Sequence, residues 1–170
     1  MSKFISHNFN ETNAIGQQGE TIMIEQLALS GYAVKDVRDV RDYQAKDIDL
    51  IATKGDRTLT FEMKTDTFMT TRHNFFFETV SNAEYDVVGC MFKTEADFLL
   101  YYPVGQQLMY CMNMPKYRAF AVAHKDQWRE LRTHNQRPNG QTMTTVGWLI
   151  PVPQIIDQPW SQKVRFKQPD

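Results

Sequence analysis

The sequence predicts a mixed α/β fold, of α+β character, in which one early helix precedes a long succession of strands. Its 170 residues, 42% hydrophobic and 23% charged, have an ordinary globular composition. Apolar residues recur at helical spacing near the N-terminus, and short runs rich in aromatic and β-branched residues follow. With no repeat or linker visible, we expect one domain over residues 1–170. Within it, residues 1–12 are expected to form a loose lead-in and residues 154–170 an irregular basic tail.

The predicted elements follow from periodicity and turn residues. The first helix covers residues 13–30, and Gly31 can end it. A second helix is expected at 125–133, where Trp128 would face inward and arginines outward. Strands are expected at 32–37, 47–53, 58–64, 74–80, 86–92, 98–103 and 144–152, with two more within 106–123, interrupted near Met114 and Pro115.

The formal charge of −1 hides an uneven distribution. Residues 1–110 hold 10 Lys and Arg against 16 Asp and Glu, whereas residues 111–170 hold 9 against 4. This asymmetry indicates an acidic region that could hold cations and a basic region that could meet an anion. Chance clustering on a solvated surface is the alternative.

Several classes of protein are disfavoured by the sequence. Two cysteines, Cys90 and Cys111, make neither a disulfide scaffold nor a zinc site, and buried thiols are expected. No apolar stretch approaches the roughly 18 residues of a membrane helix, and no secretory signal is visible. No glycine-rich phosphate loop is present, so no nucleotide cofactor is expected. We therefore predict a cytoplasmic protein with no membrane partner.

A hairpin around Gly55 and Asp56 contains the most informative pattern. With the turn at these residues, Asp49 would lie directly opposite Glu62. One face is then wholly apolar, formed by Ile48, Leu50, Ala52, Leu59, Phe61 and Met63. The other face carries Asp47, Asp49, Thr58, Thr60, Glu62 and Lys64, with Ile51 as the exception. A slip of one residue would mix the two faces, so the partition supports this register.

The polar face of the hairpin suggests chemistry. Two carboxylates opposed across a strand pair repel each other, and a divalent cation between them would reverse that effect. Mg²⁺ prefers one or two carboxylates, with water and phosphate oxygens completing its shell. Lys64 is on the same face as Glu62 and could reach an attacking water or a phosphate oxygen. This set is suited to metal-assisted phosphodiester hydrolysis. The alternative is a solvated outer face whose charges serve solubility.

At these residues the sequence resembles the PD-(D/E)xK nuclease superfamily, which includes many restriction endonucleases, Holliday junction resolvases and phage nucleases. The likeness lies in Asp47-Ile48-Asp49-Leu50-Ile51-Ala52 followed by Phe61-Glu62-Met63-Lys64, with Gly19-Glu20 on the preceding helix. It implies a restriction-endonuclease-like fold, a central mixed β-sheet flanked by helices. No proline precedes the first acid, and either Asp47 or Asp49 could be the ligand. Asp49 is preferred because it pairs with Glu62 and precedes Leu-Ile-Ala.

The resemblance also implies roles for individual residues. Asp49, Glu62 and Glu20 would bind Mg²⁺ or Mn²⁺, and Lys64 would orient or help to activate the attacking water. A narrower likeness to small phage-encoded nucleases includes Glu78, which would either approach the site or form a structural salt bridge. The protein would act in the cytoplasm of a bacterial or phage-infected host cell.

The sequence therefore predicts a metal-dependent DNA endonuclease. One alternative is a dimeric nuclease that resolves Holliday junctions. Another is a non-catalytic nucleic-acid-binding protein that retains the fold. Basic residues of the C-terminal third, interleaved with aromatic ones, could follow a phosphate backbone or merely line a solvated helix face. The residues predicted to bind nucleic acid are Arg118, Lys125, Arg129 and Arg132.

Overall fold

The structure, a computed structural model, describes residues 9–137 and 139–168. It is a mixed α/β fold, as predicted. The helices are α1 Phe9–Leu29, α2 Arg41–Gln44, α3 Met69–Arg72, α4 Cys90–Lys93, α5 Met114–Ala123 and α6 Val152–Ile156. The strands are β1 Ala33–Asp36, β2 Leu50–Lys54, β3 Arg57–Asp66, β4 Asn74–Asn82, β5 Val87–Val88, β6 Phe98–Pro103, β7 Leu108–Asn113, β8 Arg129–Gln136, β9 Thr142–Pro151 and β10 Ser161–Arg165.

The strands form two sheets. The larger has the order β1-β2-β3-β6-β7-β10 and is mixed, because β3 and β6 run parallel while its other neighbours are antiparallel. The smaller sheet is antiparallel, with the order β5-β4-β9-β8. The core has one cluster between α1 and the larger sheet and another between the two sheets and α5. Both faces of the larger sheet are therefore covered.

The β2–β3 hairpin has the predicted turn, and its register is the predicted one as far as the pair Leu50 and Phe61. Lys54 pairs with Arg57 around the turn, and Leu50 pairs with Phe61. Gly55 has φ of +59°, a left-handed conformation that glycine adopts without strain. On the predicted apolar face, Ile48, Leu50, Ala52, Phe61 and Met63 are buried and Leu59 is half-buried. Met23 and Leu27 of α1 pack on this face of the hairpin.

Helix α1 crosses β3 at very close range. A Cβ atom on Gly19 would lie 2.2 Å from Oγ1 of Thr65, so only glycine fits there without a shift. The helix ends before Gly31, as predicted, and Gly31 has φ of +86°. It begins at Phe9, so the predicted loose lead-in is wrong for residues 9–12. Residues 1–8 lie outside the described part of the chain.

Two predicted strand regions are partly helical. In the segment 86–92, only Val87 and Val88 pair with β4, and α4 follows. In the segment 106–123, β7 is a strand but its continuation is α5. Asn113 caps α5, because its Oδ1 accepts the N–H of Lys116 at 3.1 Å.

The predicted helix at 125–133 is also wrong. A short 3₁₀ turn precedes β8, which pairs with β9 along its whole length. Alternate residues Leu131 and Thr133 are half-buried, while Arg132 and His134 are exposed. This period of two is that of an edge strand with one covered face.

The predicted irregular tail at 154–170 is instead ordered over its described part. Helix α6 is followed by β10, which pairs antiparallel with β7. Beyond β10, Lys167 donates its N–H to Oε1 of Gln26 at 2.7 Å, and the Gln26 amide donates to the Lys167 carbonyl at 3.1 Å. The tail therefore closes the larger sheet and binds α1. Within the described ranges, no helix is both long and apolar enough to cross a membrane.

Candidate functional site

Three of the predicted site residues, Asp49, Glu62 and Lys64, lie at the open end of the β2–β3 hairpin. Alternation turns Glu62 and Lys64 away from α1 and toward the smaller sheet, because Phe61 and Met63 occupy the α1 side. Their neighbours on β6, Leu99 and Tyr101, belong to the apolar cluster between the sheets. The alternative interpretation of this face as a solvated outer face is therefore wrong for Glu62, which is 5% exposed.

Glu62 is the most perturbed acid of the group. Burial raises its pKa from 4.5 to about 8, and the carboxylates of Asp49, Asp47 and Glu78 add to the increase. Lys64 opposes the increase, with its Nζ 3.7 Å from Oε1 of Glu62. A buried carboxyl group with a pKa near neutrality is typical of a functional site.

Asp49 lies next to this group, just before β2. Its backbone N–H bonds to the Phe61 carbonyl at 2.9 Å, and the paired register is defined only as far as Leu50. Asp49 is therefore shifted along β3 from the predicted position directly opposite Glu62. The Asp49 carboxylate accepts the N–H of Met63 at 2.7 Å. Burial raises the pKa of Asp49, and that hydrogen bond, Lys64 and Arg38 each reduce the increase.

Lys64 connects the hairpin to the smaller sheet. Cys90, Glu78 and Glu62 together raise the pKa of Lys64 well above its ordinary value. Burial raises the pKa of Cys90 as well, so Cys90 is a thiol at neutral pH, and Lys64 is favoured in its charged form by Glu78 and, once Glu62 ionises, by Glu62. Oε1 of Glu78 accepts the backbone N–H of Cys90 at 3.2 Å. Glu78 therefore approaches the site, and its direct contact is a hydrogen bond from a backbone N–H rather than the salt bridge that the sequence analysis considered.

Asp47 has a different role from Asp49. It sits at φ +46° in the turn before β2, where its Oδ1 accepts Nζ of Lys93 at 2.6 Å. Its backbone carbonyl accepts the Thr94 hydroxyl at 2.6 Å. Since its carboxylate is already paired with a lysine at the protein surface, Asp49 is the better placed ligand of the two.

Glu20 extends from α1 toward Asp49 but is not free. It forms an ion pair with Arg38, which the sequence had not singled out. Burial raises the pKa of Glu20, Arg38 reduces the increase, and Asp49 adds to it. Asp49 is thus the carboxylate shared by two groups, with Glu20 and Arg38 on one side and Glu62 and Lys64 on the other.

The side chains that could hold Mg²⁺ here are a pair of carboxylates rather than a larger cluster. Across residues 9–137 and 139–168, no group of three or more His, Cys, Asp and Glu side chains is arranged to hold a metal ion. Glu62, which is buried, and Asp49, which is half-buried, nevertheless supply two carboxylates, and Asp49 raises the pKa of Glu62. A divalent cation relieves that repulsion, and Mg²⁺ needs only one or two carboxylates beside water and phosphate oxygens.

The four residues predicted to bind nucleic acid do not share one surface. Arg118 is half-buried and donates to the carbonyls of Met91 and Thr94, both at 2.7 Å. Lys125 lies in the 3₁₀ turn before β8. Arg129 and Arg132 are exposed on β8, three residues apart and so on opposite faces of that strand. Arg132 also pairs with Glu130 at 3.0 Å.

The sequence analysis did not identify Arg38 and Cys90 as neighbours of the site. Arg38 lies in the loop between β1 and α2, and Cys90 is the first residue of α4. Both residues reach the site only because separate elements of the chain pack together, and no short-range sequence pattern indicates such packing.

Comparison with known protein families, curated proteins and solved structures gave no significant match.

Proposed function

We propose that this chain is a Mg²⁺- or Mn²⁺-dependent DNA endonuclease with a restriction-endonuclease-like fold. The observation that carries the proposal is the buried Glu62 with the half-buried Asp49 and Lys64 beside it, Nζ of Lys64 lying 3.7 Å from Oε1 of Glu62. The pKa of Glu62 is raised to about 8, and a buried acid with so high a pKa reduces the stability of the fold. The same acid is useful in a site that binds a cation. The helix-flanked mixed sheet, with the pair at the end of a hairpin, supports the same proposal.

In this proposal Asp49 and Glu62 hold the metal ion. When bound, such an ion polarises a phosphoryl oxygen and lowers the pKa of its water ligand. Lys64, kept protonated by its acidic neighbours, would orient the attacking water and stabilise the charge that develops on the scissile phosphate. Arg129 and Arg132 are exposed and could contact the DNA backbone, Arg132 by leaving its ion pair with Glu130. Arg118 instead donates to two backbone carbonyls within the fold.

The test is a cleavage assay on labelled duplex, single-stranded and four-way-junction DNA, with Mg²⁺, Mn²⁺ or chelator. Glu62→Ala and Lys64→Ala are each expected to lower cleavage about 100-fold or more. Glu25→Ala and Lys35→Ala remove exposed charges of the same kinds and serve as matched controls. Cleavage that survives both site substitutions would refute the proposal. Circular dichroism of every variant separates loss of activity from loss of fold.

The same panel decides between the two alternatives. Symmetric paired nicks in a four-way junction, with little cleavage of linear duplex, would identify a dimeric junction-resolving nuclease. Metal-independent binding without cleavage of any substrate would identify a non-catalytic nucleic-acid-binding protein.

A further inference from the structure

Arg38 is a charged group that the proposed hydrolysis does not use. It follows β1 and lines a surface cleft of about 380 Å³ together with Gln17, Glu20, Thr21 and Asp39. Its Nε lies 3.0 and 3.1 Å from the two carboxylate oxygens of Asp36, and its Nη2 lies 2.5 Å from Oδ2. Asp36 therefore holds the guanidinium from one side in a fixed orientation.

The other side of the guanidinium is bound to Glu20. Nη1 of Arg38 forms the ion pair with Oε2 of Glu20, and the Arg38 side chain is 33% exposed. Arg38 also reduces the rise in the pKa of Asp49, so its positive charge acts on both acids. A cation is thus already present where Glu20 and Asp49 approach each other.

This contact conflicts with Glu20 as a metal ligand. Oε2 of Glu20 would have to leave Arg38 before it could coordinate an ion, and the guanidinium repels any cation bound at Asp49. Removing Arg38 removes both obstacles and leaves an unpaired carboxylate beside Asp49. The effect of Arg38 on metal binding should therefore depend on Glu20.

We infer that Arg38 is a displaceable counter-ion, which competes with a divalent cation for the Glu20 carboxylate and sets the metal affinity of the site. The inference rests on the proposed metal-dependent function. Arg38 is a positioning residue here, since it acts through Glu20 rather than on the substrate. Metal would bind with Glu20 as a ligand only when the Arg38 contact opens.

The experiment is calorimetric titration of the full chain with Mn²⁺ alone. Arg38→Gln is expected to tighten Mn²⁺ binding by about tenfold or more, because it releases the Glu20 carboxylate from its ion pair and lets that carboxylate coordinate the ion. Arg38→Lys keeps the charge but loses the planar fork, so its affinity should fall between those of wild type and Arg38→Gln. Arg41→Gln removes an exposed positive charge nearby and should change the affinity less than twofold.

The double variant Glu20→Gln/Arg38→Gln tests the coupling. It should lose most of the gain of Arg38→Gln. If Arg38→Gln binds Mn²⁺ no tighter than wild type, or if the double variant keeps the whole gain, the inference is overturned. Glu62→Gln distinguishes failure of this inference from failure of the proposed metal site. If Mn²⁺ binding depends on Glu62 but not on Arg38, only the inference about Arg38 is overturned. No Mn²⁺ binding by any variant overturns the metal proposal as well.

Discussion

Neutralising Glu62 should make the protein more stable, and increasingly so as the pH rises. In the folded chain its pKa is about 8, against 4.5 as its ordinary value. Between these values the unfolded chain has released the proton while the folded chain still holds it. The free energy of unfolding therefore falls from about pH 4.5 to about pH 8 and then stays low. At about 1.4 kcal/mol per pKa unit, the loss reaches a ceiling of about 5 kcal/mol.

Glu62→Gln keeps the shape of the side chain and carries no charge at any pH. Urea unfolding followed by tryptophan fluorescence, with chelator present, should show nearly equal stabilities at pH 4.5. At pH 8.5 the variant should be the more stable by several kcal/mol. Glu25→Gln, which removes an exposed carboxylate of α1, is the matched control and should show no such trend.

A difference between wild type and Glu62→Gln that is constant from pH 4.5 to 8.5 would refute the reasoning, and so would a wild type that gains stability as the pH rises. Mg²⁺ added at pH 8.5 should recover stability in wild type only. The recovery is about 2.7 kcal/mol at a free concentration one hundred times the Kd.

Other substitutions probe the neighbouring elements. Lys64→Ala should lower cleavage about 100-fold or more while calorimetry shows Mn²⁺ binding retained; loss of binding would mean that Lys64 only maintains the site. Gly19→Ala should cost about 1–3 kcal/mol in urea unfolding because its Cβ would lie 2.2 Å from Oγ1 of Thr65. Adding Thr65→Ala should restore most of the lost stability. A Gly19→Ala variant as stable as wild type would contradict the close approach of α1 to β3. Arg118→Ala removes two hydrogen bonds and should cost about 2–4 kcal/mol, with the salt dependence of DNA binding unchanged. A smaller salt slope would instead support its predicted contact with phosphate.

The hairpin and α1 were predictable because the relevant information is local. Alternation over 47–64 defines both faces, and Gly55 and Gly31 mark a turn and a helix end by their freedom to adopt positive φ. The start of α5 was also marked, by Asn113 as a cap and by proline within the first turn. Interpreting that proline as a break between two strands was the mistake.

Segment 125–133 shows where local patterns are insufficient. Trp128 and Leu131 have helical spacing, but the whole of β8 bonds to β9, and that pairing decides the conformation. The predicted face of basic residues was wrong for the same reason, because Arg129 and Arg132 share a face only on a helix. Arg38 was missed because its contact with Glu20 is also a tertiary one, an ion pair between residues 18 positions apart in the sequence.

The position of Glu62 is the strongest reason to regard the cluster as functional. Its neighbours Phe61 and Met63 are buried in an apolar core, and a neutral side chain at Glu62 would remove the cost derived above. A salt bridge alone does not explain the arrangement, because Lys64 is 3.7 Å away and leaves the pKa of Glu62 at about 8. Asp49, which is half-buried, adds a second acid instead of a second base. Ionising both acids is unfavourable for the fold by itself, and it becomes favourable once a cation binds to the two carboxylates.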